Sequence, residues 1–149
     1  MIIRDIESLT VGGSGLMAYF FFDFKDTGKQ DLRALLSSLL VQLSDQSEKC
    51  LILLYSAHQS GSQQPTDDSF AQCLKDMLMI IEVPIYLIMD ALDECPKASG
   101  IPSSREKVLR LLKELVVFHI PNLRLCHESP RVRHSLYARA FGNSTTFPP

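Results

Sequence analysis

Ile85-Tyr86-Leu87-Ile88-Met89-Asp90-Ala91-Leu92-Asp93-Glu94-Cys95 decides how this chain folds. From Val83 to Met89 the residues are apolar and rich in β-branched and aromatic side chains, with Glu82 before them and Asp90 after, the pattern of a central strand. Pro84 is compatible with that reading only because it stands at the entrance, where no ladder hydrogen bond is lost. Three carboxylates, Asp90, Asp93 and Glu94, come just past the strand's C-terminal end, the edge at which open parallel sheets bind ligands. Asp90, the first of them, is the natural residue for the metal side, since Mg²⁺ takes hard oxygen ligands and keeps much of its hydration. Asp93 and Glu94 follow three and four residues later, where a turning chain can aim one of them, Glu94 by preference, at a water molecule as a general base. An acid after an arbitrary strand more often caps the next turn, so the whole pattern, rather than any one residue, carries the functional reading.

Working outward, Leu16 to Phe24 is a second short apolar run, rich in aromatics, that ends among Asp23, Lys25 and Asp26; its near-continuous apolarity suits a sheet covered on both faces. Leu32, Leu35, Leu36, Leu39, Leu40 and Leu43 recur at helical spacing, and Cys50 to Ala57 continues the helical region. The Ser60 to Asp68 loop then offers a side-chain cap to a helix carrying Phe70, Cys73, Leu74, Met77, Leu78 and Ile81 on one face. After the Pro96 to Pro102 loop, Val108, Leu111, Leu112 and Leu115 predict a helix over Ser104 to Phe118, and Leu123 to Cys126 is a further short strand. On the N-terminal side, Ile2, Ile3, Ile6 and Leu9 have helical spacing before the breaker Gly12-Gly13-Ser14-Gly15. The order strand, helix, helix, strand, helix, strand predicts an α/β fold with a short parallel sheet flanked by helices. Beyond His127 the periodicity stops, and residues 127–149 read as a divergent, poorly ordered tail.

The composition narrows the function. A net charge of −2 gives no basic footprint, so neither nucleic acid nor an anionic membrane is an expected partner. Leu16 to Phe22 and Val83 to Met89, the longest apolar stretches, fall far below the roughly 20 residues a membrane span needs. Cys50, Cys73, Cys95 and Cys126 form neither a CxxC metal pair nor a dense disulfide framework, which favours a reducing, cytoplasmic location. His58, His119, His127 and His134 are scattered, with no pair at metal-ligand spacing.

The stretch Ile85 to Cys95 is similar to the Walker B motif of NACHT-type STAND P-loop NTPases. Ala18-Tyr19-Phe20-Phe21-Phe22-Asp23-Phe24-Lys25-Asp26 and Gly61-Ser62-Gln63-Gln64-Pro65 resemble the fungal, NLR-like branch of that family, whose NTPase segment is also catalogued as a nephrocystin-three-like N-terminal domain. The resemblance covers residues 1–126 and implies a partial P-loop NTPase-like three-layer sandwich. It also implies a switch run by ATP or GTP with Mg²⁺, in which Asp90 stands on the metal side and Asp93 or Glu94 directs water at the γ-phosphate. The family's phosphate loop, G-x-x-x-x-G-K-[ST], is not found. Gly12 to Gly15 is followed by Leu16 and Met17, and Gly28-Lys29 is followed by Gln30, with Asp23 where the first glycine would be. Arg131, after Cys126-His127-Glu128-Ser129-Pro130, is a displaced counterpart of the family's sensor arginine or, more simply, a solvated arginine.

These readings give a truncated NACHT segment that keeps Walker B, lacks Walker A and hydrolyses nucleotide weakly or not at all on its own. The alternative is an interaction module. In related folds the P-loop strand lies beyond the last strand found here, which leaves Leu123 to Cys126 as an exposed edge able to bind a protein partner, self-associate or lower solubility.

Overall fold

The computed structural model describes residues 14–23, 25–58, 64–92 and 103–128. Three parallel strands, β1 (Leu16–Phe21), β2 (Ile85–Asp90) and β3 (Leu123–Glu128), lie side by side in chain order. Between β1 and β2 run α1 (Leu32–Gln46), α2 (Glu48–His58) and α3 (Asp67–Ile80), and α4 (Ser104–Val117) joins β2 to β3. The α/β class with a short parallel sheet flanked by helices is therefore seen directly. Leu16, Ile85 and Leu123 share one register position, and Phe21, Asp90 and Glu128 another five residues on. The helix read at Ile2 to Leu9 and residues 129–149 lie outside the described residues.

Each long helix starts on a side-chain cap that satisfies a backbone N–H left over at its first turn. The Asp31 carboxylate accepts from Ala34 N–H, and the Thr66 hydroxyl accepts from Ser69 N–H. Ser103 and Glu106 form a reciprocal capping box at the start of α4. The helical region read as continuous is split at Ser47, which is extended at φ −141° and ψ 117°. Its N–H closes α1 on the Leu43 carbonyl, while its own carbonyl and hydroxyl accept from Leu51 and Cys50 at the start of α2. One serine thus serves as both the end cap and the start cap, which lets the chain turn without a loop. β3 runs two residues beyond the predicted Cys126, because His127 and Glu128 keep pairing with Met89 and Asp90.

Pleating divides the sheet between two environments. One face, with Ala18, Phe20, Ile85, Leu87, Met89, Leu123 and Leu125, joins the buried residues of all four helices in one apolar cluster. At its centre α1 contributes Leu35, Leu36, Leu39, Leu40 and Leu43, each at most 2% exposed. A leucine buried to that degree contributes about 2 kcal/mol relative to exposure. The other face has a smaller cluster, Ile88 and Cys126 with Met17 and Tyr86 packed against them, so the central strand β2 is buried on both sides.

The outer edge of β1 is closed by side chains rather than by a strand. Gln42 donates to the Tyr19 carbonyl and accepts its N–H at 2.7 and 3.0 Å; Gln46 does the same with Met17 at 2.6 and 3.1 Å. Two amide side chains on one face of α1 therefore complete the hydrogen bonds that a neighbouring strand would have made.

Candidate functional site

The three strands present their C-terminal ends together, and register sets Asp90 between Phe21 and Glu128. Asp90 is half-buried, and one of its carboxylate oxygens accepts the N–H of Ala91 at 2.7 Å. Its main-chain carbonyl accepts from Phe22 N–H at 3.1 Å, which ties the end of β2 to the chain leaving β1. Immediately after Asp90 the chain turns through Ala91 at φ 55°, a left-handed conformation that costs a residue with a Cβ about 1–2 kcal/mol. Leu92 then returns to the main core at 3% exposure. The turn therefore holds the Asp90 carboxylate at the sheet edge between a ladder hydrogen bond behind it and a buried leucine ahead.

Of the three acids read from the sequence, Asp90 lies where the strand reading puts it, at the C-terminal end of the central strand. Asp93, Glu94 and Arg131 lie outside the described residues. Among the described residues no group of three His, Cys, Asp or Glu side chains stands close enough to hold a metal.

The loop after β1 uses its polar groups internally. Asp23 accepts Lys25 N–H at 2.8 Å, and Asp26 accepts Gly28 N–H at 2.9 Å. Lys29 Nζ lies 3.6 Å from the Asp26 carboxylate. The Gly28-Lys29 pair is thus already occupied by a carboxylate, the opposite of a phosphate cradle. Sequence reading placed Asp23 in a polar loop without seeing that it comes two residues after Phe21, the register partner of Asp90. The available signal was that both residues end apolar runs of similar length.

Among the described residues, His58 and three cysteines are taken up by packing, and His119 by a contact with the backbone. His58 meets Phe70 edge-on, with ring centroids 5.4 Å apart, and its Nε2 is buried without a hydrogen-bond partner. His119 takes φ 51° just after α4, and its Nδ1 faces the Val117 carbonyl. Cys50, Cys73 and Cys126 are buried free thiols. Burial pushes the Cys73 and Cys126 thiols up to about 11, which keeps them protonated and unreactive at neutral pH. No described helix is long and apolar enough to cross a membrane.

The family model described as Nephrocystin 3, N-terminal matches residues 1–129. Neither the curated proteins nor the solved structures gave a match.

Proposed function

We propose, for a chain that belongs to the Nephrocystin 3, N-terminal family, that it supplies the metal-side portion of a NACHT-type nucleotide switch. The observation that carries this reading is Asp90, half-buried at the end of the central parallel strand, with its carboxylate fixed by Ala91 N–H. In this reading Asp90 would hold Mg²⁺, directly or through water, beside ATP or GTP, and Asp93 or Glu94 would orient the attacking water. Mg²⁺ bound there would neutralise charge that develops on the phosphates. The 149 residues contain no G-x-x-x-x-G-K-[ST] loop, so these residues alone hydrolyse nucleotide weakly or not at all. Backbone cradling and positioning are nearly the whole of phosphoryl-transfer catalysis, and an acidic edge cannot replace them. The NACHT assignment and the fungal, NLR-like branch rest on the likeness of Ile85 to Cys95 and Ala18 to Asp26. A cytoplasmic setting is supported by the buried free thiols.

Titration of the purified chain with fluorescent ATP and GTP, with and without Mg²⁺, tests the reading against an Asp90→Ala variant. Weak, Mg²⁺-dependent binding that Asp90→Ala abolishes supports it. Binding that ignores both Mg²⁺ and Asp90 would remove the metal-side role.

A second reading is favoured by a specific observation. β3 ends the sheet with no described strand on its outer side, and a groove of about 490 Å³ runs beside it, lined by residues of α4 and β3 including Val116, Val117, Leu123 and Leu125. The chain then acts as an interaction module that adds a protein segment at this edge.

A further inference from the structure

Two ion pairs tie the helices together and leave a charged groove between them. Arg33 of α1 holds the Asp67 carboxylate at 3.0 Å and the Pro65 carbonyl at 2.9 Å, and Lys75 of α3 holds Glu114 of α4 at 2.7 Å. A groove of about 340 Å³ reaches from one tie to the other, since Asp67 and Glu114 both line it. Its apolar lining is Leu32, Ala71 and the buried Leu111, all part of the main core or packed on it. Lys107 and Arg110, one turn apart on α4, line it as well; both are exposed and neither has a partner among the described residues. The acids of α4 are taken up elsewhere, Glu106 by the capping box with Ser103 and Glu114 by Lys75. Asp68, on the α3 wall, forms no ion pair with either cation.

We infer that this groove docks an acidic segment of a protein partner, in which carboxylates flank an aliphatic side chain. The inference goes beyond both readings above and needs neither Asp90 nor the edge of β3. Charge complementarity selects the occupant. With Asp67 and Glu114 neutralised by Arg33 and Lys75, the lining keeps two unpaired cations against one unpaired acid, so an anionic guest is attracted and a cationic one repelled. The Arg110 guanidinium can take a carboxylate through two parallel hydrogen bonds. Lys107, about 4.5 Å away along the helix axis, suits a second acid. The aliphatic side chain covers Leu111, Leu32 and Ala71 between them. A phosphate backbone fits less well. Nucleic acid and anionic membranes are drawn to broad basic surfaces, which a chain of net charge −2 lacks, and Asp68 on the facing wall repels a continuous line of phosphates.

Fluorescence anisotropy of a labelled peptide, glutamates interspersed with leucines, titrated with the full chain tests this, with circular dichroism to verify that each variant folds. Saturable binding is expected, and it is lost when glutamine replaces glutamate in the peptide. Lys107→Glu or Arg110→Glu weakens it by about tenfold, and Asp68→Asn strengthens it by removing the opposing acid. Lys49→Glu reverses a cation on α2 that pairs with Glu82 outside the groove, and leaves binding unchanged. Absence of saturable binding overturns the site. So does a loss at Lys49→Glu equal to that at Arg110→Glu, since the attraction then belongs to the surface at large. Weaker binding by Asp68→Asn overturns the assignment of charges. Tighter binding of an oligothymidylate or of phosphatidylserine vesicles, lost with the same reversals, overturns the protein segment as occupant.

Discussion

The turns that follow β1 and β2 begin alike, with an aspartate at or just past the end of an apolar strand, and then diverge. After β1, Asp23 and Asp26 spend carboxylate oxygens on the N–H groups of Lys25 and Gly28, and Lys29 folds back onto Asp26. After β2, the Asp90 carboxylate accepts, among the described residues, the adjacent N–H of Ala91, and the turn is imposed by a strained Ala91 and an anchored Leu92. In the first turn acids hold the backbone; in the second the core holds the backbone and leaves the acid half-exposed. A carboxylate at a strand end becomes available for chemistry when something else makes the turn.

That contrast is broken most severely at its anchor. Leu92→Ala should cost about 3 kcal/mol in urea unfolding, the usual range for a buried leucine. A loss below about 1 kcal/mol would mean that the turn does not depend on the core. Next, Asp26→Ala should cost about 1 kcal/mol, the worth of a capping side chain, without altering nucleotide binding. Asp90→Ala should do the reverse, changing stability by less than about 0.5 kcal/mol while removing Mg²⁺-dependent binding. Equal stability losses at the two aspartates would erase the difference between the turns. Ala91→Gly should raise stability by up to about 1 kcal/mol, seen as a higher midpoint of thermal unfolding, because it releases left-handed strain. Gly28→Ala is the smallest change. An added Cβ would lie 3.3 Å from an Asp26 oxygen, so the gain from stiffening the unfolded chain is offset and stability should stay within about 0.5 kcal/mol of wild type.

Much of this architecture was written in local pattern. The leucines of α1 recur at helical spacing and the run before Asp90 is apolar throughout; five of the six leucines and Ile85, Leu87, Ile88 and Met89 are buried. The break at Ser47 was not visible, because a single serine between two apolar helical stretches is compatible with a continuous helix; only its extended backbone separates them. The closing of the β1 edge was hidden for a different reason. Gln42 and Gln46 look like ordinary polar positions on an amphipathic helix, and their role depends on which strand lies beside them. At the site, the position of Asp90 followed from the strand alone, whereas the left-handed turn at Ala91 had no glycine to announce it.

The paired glutamines also bear on alignment. Four residues along a helix advance about 6.0 Å, and two along a strand about 6.6 Å. The spacing of Gln42 and Gln46 therefore nearly matches that of Tyr19 and Met17, with the two elements running in opposite directions. The match works like a vernier. Sliding β1 by one residue would present inward-facing amides to both glutamines at once, and would also turn Ala18 and Phe20 out of the core. Helix α1 therefore measures the strand as well as covering it, and the level at which the three strand ends meet is fixed from the side opposite β3.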